Sequence, residues 1–126
     1  MKERVTIAVI WSFGMAYALY SPGSNVPDIP KFYGSDKLIH FGMFTGMPFL
    51  WNRVILKRAR QKAKNKIKLF TNYLVLWILI AILSEYIQRI VPGRSFDYMD
   101  ILTNISGVIT GTGIFIYLNK RGSSLV

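Results

Sequence analysis

The chain has 126 residues, of which 52% are hydrophobic and 17% charged, with no cysteine and a formal net charge of +10. Its apolar residues fall in runs on the scale of the about 20 residues that cross a bilayer's hydrocarbon. That pattern points to an integral membrane protein and not to a soluble domain with one core and a polar surface. The missing cysteine excludes disulfides and thiol catalysis. The basic excess does not identify a nucleic-acid binder. Eight of the sixteen Lys and Arg lie in one segment, RVILKRARQKAKNKIK at 53–68, which lacks the aromatic side chains that stack bases.

The first apolar run, VTIAVIWSFGMAYALY at 5–20, predicts a short span that Ser21-Pro22-Gly23 stops. Lys2, Arg4 and the small residues Ala16-Tyr17-Ala18 also resemble a signal peptide. Leu19 and Tyr20 continue the apolar run past that cleavage pattern, so a retained span is expected. The loop that follows contains Pro22, Pro27 and Pro30, which preclude one regular helix, with Phe32 and Tyr33 placed as interfacial anchors. The second span is expected at 36–56, kinked near Pro48 and marked at its far end by Trp51. The basic segment at 53–68 then reads as a cytoplasmic loop in contact with lipid headgroups. A third span at 69–91 ends in the turn pair Pro92-Gly93, and a fourth runs over 98–118. The expected fold is all-α: one four-transmembrane-helix bundle forming a single domain.

Twelve of the sixteen basic residues sit at the two termini and in the 53–68 segment, which by the positive-inside rule places both termini in the cytoplasm. Five of the six acids fall at the opposite ends of the spans. There the sequence crowds polar groups where they are costly. Asp36 and His40 share a helix face at i, i+4, with Lys37 beside them. Glu85, Gln88 and Arg89 occupy the end of the third span, and Asp97, Asp100 and Asn104 form a stripe on the fourth that continues as Gly107 and Gly111. An ionised Glu85 facing lipid would cost up to about 3 kcal/mol, so it is expected to face inward toward Arg94, Arg89, Lys37 or a protonated His40. Asp36, and Asp97 with Asp100, suit helix caps. Lys37 and Arg89 suit snorkelling, His40 an interhelical hydrogen bond, and Gly42-x-x-x-Gly46 helix packing. Caps do not account for Glu85, Gln88 or Asn104, which lie within spans.

Chemically, Glu85, Asp100, His40 and Asp97 are the candidate acid and base groups. Lys37 and Arg94 are candidate holders of an anionic headgroup, with Asp36, Gln88 and Asn104 as further binding residues. Carboxylates with one histidine can coordinate a divalent ion, but the sequence assigns no metal ligands and no cofactor.

The motif DKLIHFGMF at 36–44, followed by EYIQRIVPGRSFDYMDILTNISGVITG at 85–111, resembles the VanZ-like family. The shared pattern is Asp36, Lys37, His40; Glu85, Gln88; Pro92, Arg94, Asp97, Asp100; Asn104 and Gly107. The resemblance implies four spans and a role in the bacterial cell envelope; the family is named for a member associated with teicoplanin resistance. It leaves three functions open: binding of membrane lipid or a lipid-linked envelope precursor, an intramembrane enzyme acting on such a headgroup, and a small transporter subunit. Against transport, no polar path continues inward from Asn104. A homodimer is left open, and nucleic acid is not an expected partner.

A cysteine placed at Asn25 is expected to react with a membrane-impermeant thiol reagent added outside intact cells. Protection at that position, together with labelling of a cysteine at Lys62, would invert the topology.

Overall fold

The computed structural model describes residues 1–22, 34–59, 66–123 and 125–126, with side chains for all of these except 58–59 and 66–70. Four helices are formed, α1 (Lys2–Tyr20), α2 (Ser35–Ala59), α3 (Lys66–Gln88) and α4 (Tyr98–Lys120), and no strand occurs among the described residues. The loop anchors Phe32 and Tyr33 and the centre of the basic segment, 60–65, lie outside the described residues. The two ends of that segment are helical, extending α2 to Ala59 and starting α3 at Lys66.

Local chemistry sets the helix ends. α1 stops at Ser21, whose extended backbone (φ −66°, ψ 141°) is what a residue preceding proline adopts. α3 ends at Gln88, short of Val91, because the chain reverses through Val91-Pro92-Gly93-Arg94. The Arg94 N–H donates to the Val91 carbonyl at 3.2 Å. Gly93 has φ +74°, the positive value expected after Pro in this turn. Asp97 caps α4 by accepting from the Met99 N–H at 2.8 Å. At its far end, Gly122 (φ +66°) lets Ser123 and Gly122 donate back to Leu118 and Asn119, closing a Schellman motif.

α2 and α4 form the most extensive interface, with α3 packed on α4 and α1 on α2. Contacts advance together along the central pair, from Lys37 with Asp100, through His40 with Asn104, to Thr45 and Pro48 with Gly111. The two helices therefore run in the same direction. A methyl group on Gly107 would lie 2.7 Å from the Phe41 carbonyl oxygen, and one on Gly111 would overlap the Thr45 carbonyl. The glycine stripe of α4 thus packs backbone against backbone, as its spacing predicts. Gly42-x-x-x-Gly46 divides instead: Gly46 lies under the Trp11 ring of α1, while Gly42 meets open space. α2 stays helical through Pro48, which is buried beside Gly111. Trp51, read as an interfacial anchor, is half-buried and donates to Ser12 Oγ of α1 at 3.0 Å. Leu19, Phe44, Trp77, Ala81 and Val108 form the centre of the apolar core.

Two helical stretches, Thr71–Gln88 and Tyr98–Lys120, are long and apolar enough to cross a membrane. Large apolar side chains stand uncovered on all four helices, among them Phe13, Tyr17, Leu38, Leu83, Leu102 and Ile109. So much exposed apolar surface is rare on a soluble monomer.

Gly111→Ala is expected to lower thermal stability in detergent by an amount equivalent to about 1–3 kcal/mol, because the α2–α4 backbone approach must open. Gly113→Ala, where nothing lies within 4 Å, should be neutral or stabilising by up to about 1 kcal/mol. Equal melting shifts for the two would contradict the close approach.

Candidate functional site

Because α2 and α4 run in parallel, their first turns lie at one level and bring their charged groups together. Lys37 Nζ lies 2.7 Å from Asp97 Oδ2 and 2.8 Å from Asp100 Oδ1. Asp100 is buried, while Lys37 and Asp97 are about two-fifths exposed, so the pair opens to the surface. The Lys37 ammonium, and then the Met99 N–H, hold the Asp97 carboxyl below its ordinary range. One turn deeper, His40 Nδ1 lies 3.0 Å from Asn104 Oδ1, both residues buried. Asn104 directs its amide nitrogen to the Ala81 carbonyl at 3.5 Å. Its oxygen therefore accepts from His40 Nδ1. Asp36 stands at the exposed rim. One ligand atom each from Asp36, His40 and Asp100 lies within 4.8 Å of the others, a set of donors able to hold a metal ion.

Glu85 is fully buried on α3. Its Oε1 accepts from the backbone N–H of Asp97 at 3.0 Å. In a capping box, the residue three places into the helix reaches back to the N-cap N–H. Here that residue is Asp100, which bonds Lys37 instead, and Glu85 supplies the missing acceptor from another helix. Capping, which its place within a span had seemed to exclude, thus accounts for one oxygen of Glu85. The other, Oε2, is buried and has no hydrogen-bond partner among the described residues. The titratable groups that act on Glu85 are Asp100, His40, Asp97 and Tyr20.

The basic partner expected for Glu85 is not Arg94. The Arg94 guanidinium donates to the carbonyls of Ala18 and Ser21, the latter at 3.4 Å, and Gln88 Nε2 donates to the Leu19 carbonyl at 3.0 Å. These carbonyls end α1, where a helix leaves its acceptors unpaired and its dipole negative. The polar residues picked from the sequence therefore divide. Lys37, Glu85, Asp97 and Asp100 form one bonded group, the His40–Asn104 pair lies beside it, and Asp36 stands at the rim. Gln88 and Arg94 turn aside to cap α1, and Arg89 is exposed.

A second polar feature is not evident from the sequence. Asn52 is 1% exposed, yet neither its side-chain oxygen nor its nitrogen has a partner among the described residues; Thr112 Oγ1 is likewise buried and unpaired. Asn52 lies about 18 Å along α2 from His40. Its signal, a lone amide in an apolar run, is hidden by its place between Trp51 and the basic segment.

Four helices, two of them of membrane-spanning length and composition, enclose at one end a group rich in carboxylates and closed by a lysine and a histidine. This is an all-α protein of membrane type with a built polar site. The sequence model of the VanZ/LLP1 family matches residues 4–119, nearly the whole chain, and the protein belongs to that family. No curated protein and no solved structure matches it significantly.

Glu85→Gln keeps an oxygen for the Asp97 N–H and should leave the melting temperature close to wild type. Glu85→Leu removes that acceptor and should destabilise by about 0.5–2 kcal/mol, as for a lost cap. A Gln variant as unstable as the Leu variant would show that the cap is not what Glu85 contributes to the fold.

Proposed function

We propose that this VanZ/LLP1 protein crosses the bacterial cytoplasmic membrane four times, with both termini cytoplasmic. In this reading its polar site opens outward and binds the polar part of a lipid-linked or anionic envelope component. The observation that carries the reading is the half-exposed Lys37–Asp97–Asp100 link lying directly above the buried His40–Asn104 pair. Such a graded arrangement, wet at the rim and sealed one turn below, suits a headgroup entering from the membrane surface while its acyl chains stay in lipid. The four-span topology is supported by uncovered apolar side chains on every helix and by the clustering of basic residues at the termini and in the 53–68 segment.

An enzymatic reading is favoured by one specific feature. The unpaired Glu85 Oε2, in a group that also contains His40, supplies an acid or base held out of water. It would act on the headgroup of the same lipid or cell-wall precursor.

The test compares wild type with Lys37→Gln, Asp100→Asn and Glu85→Gln, expressed at matched levels, by profiling envelope lipids and measuring glycopeptide susceptibility. The family's namesake makes teicoplanin the informative drug. Binding predicts that Lys37→Gln and Asp100→Asn weaken the phenotype without any new lipid species. Catalysis predicts a modified species present with wild type and lost with Glu85→Gln. Wild-type behaviour of all three variants would remove the polar site from the function.

A further inference from the structure

We propose that Asp36, His40 and Asp100 bind one divalent transition-metal ion, of the Mn2+ or Zn2+ kind, through which the site holds an anionic headgroup. The inference rests on the polar site being the ligand-binding site.

The donors are in place. One ligand atom from each of the three residues lies within 4.8 Å of the other two. Tetrahedral bonds of about 2.0–2.2 Å set ligand atoms about 3.3–3.6 Å apart, so the side chains must turn inward to close the shell. Asp36 is exposed at the rim and free to turn. His40 has one ring nitrogen fixed and one to offer. Its Nδ1 is committed to Asn104, which leaves the lone pair on Nε2, a nitrogen without a partner among the described residues. Metal-ligating histidines commonly donate their other ring N–H to a fixed acceptor in this manner. Asn104 is itself anchored to the Ala81 carbonyl. Asp100 gives one oxygen to Lys37 and has its second oxygen free of any described donor.

An independent observation calls for positive charge at this place. Glu85 Oε2 is buried with no hydrogen-bond partner among the described residues, and the titratable groups that act on Glu85 are Asp97, Asp100, His40 and Tyr20. Lys37 alone cannot balance Asp36, Asp97 and Asp100, and Arg94 is turned away to α1. A divalent ion supplies what the site lacks. One imidazole with carboxylates favours Mn2+ or Zn2+ over Mg2+ and Ca2+, which prefer shells of oxygen alone. The ion also settles a conflict in the site's electrostatics. Asp36, Asp97 and Asp100 repel an anionic headgroup, and Lys37 already bonds two of them, whereas a metal ion with open positions would join phosphate oxygens to the protein.

The test titrates the purified full-length protein in detergent with Mn2+ and follows loss of the free-ion signal by electron paramagnetic resonance. One Mn2+ per chain is expected, displaced by equimolar Zn2+ and not by equimolar Mg2+. Asp36→Asn, an exposed change that leaves the core intact, should weaken Mn2+ binding about 10-fold or more, and Asn104→Ser about 10–100-fold through loss of the His40 support. Absence of stoichiometric binding by wild type with intact helical circular dichroism overturns the proposal, as does binding unchanged in both Asp36→Asn and His40→Gln. Should the envelope phenotype depend on Lys37 and Asp100 while the protein binds no Mn2+, the metal inference fails and the binding reading stands. Stoichiometric Mn2+ binding with no phenotype in any site variant gives the reverse.

Discussion

The close approach of α2 and α4 over Gly107 and Gly111 sets the heights of everything else. Each glycine within a helix costs up to about 1 kcal/mol relative to alanine. What it permits is the seating of the Phe41 and Thr45 carbonyls where a methyl group would stand. With the backbones so close, short side chains bridge the pair, and Asn104 meets His40 directly. The same parallel register places Lys37 between Asp97 and Asp100. A bulkier stripe would hold the helices apart and leave His40 and Asn104 as unpaired polar groups in an apolar interior, at about 1–3 kcal/mol each.

The parallel pair also explains the distribution of charge. Two helix N-termini, those of α2 and α4, lie at one end of the molecule, and their partial positive charge favours carboxylates there. Asp36, Asp97 and Asp100 occupy those first turns. α1 and α3 run the other way and bring their C-termini to the same end. Arg94 sits on the terminal carbonyls of α1, the sign that this helix end prefers. Acids and bases that look interchangeable along the chain are thus sorted by the helix ends they meet.

That sorting marks how far the sequence can be read. The helices were legible where their punctuation is strong: Pro22 and the Pro92-Gly93 turn each act through backbone geometry that needs no tertiary partner. Membership of the site was legible too, since polar residues inside apolar runs must have neighbours. The pairings were not. Glu85 and Arg94 are close in sequence and opposite in charge, yet Arg94 bonds the end of α1, whose proximity only the assembled bundle provides. Asp97 and Asp100 suggested a local capping box, and the box is completed by Glu85 because Lys37 takes Asp100 first. Asn52 was missed because an amide beside a tryptophan and a basic run reads as interface, while in the bundle it is sealed.

What remains after this accounting narrows the chemistry. Gln88 and Arg94 are consumed by α1, and Glu85 Oε1, Asp97 and Asn104 by hydrogen bonds that the helices themselves require. The groups still free to meet a ligand are Asp36, the second oxygen of Asp100, Nε2 of His40, the buried oxygen of Glu85 and the one N–H of Lys37 not given to Asp97 or Asp100. Apart from that N–H, all are acceptors in their unprotonated forms. A site lined by acceptors takes a cation, or a ligand that brings protons to donate. An anionic lipid headgroup offers neither alone, which is why the proposed binding is drawn through a cation. The lysine that might have served is fixed between two aspartates, which makes it a brace for the rim and leaves the recognition of charge to the acceptors below it.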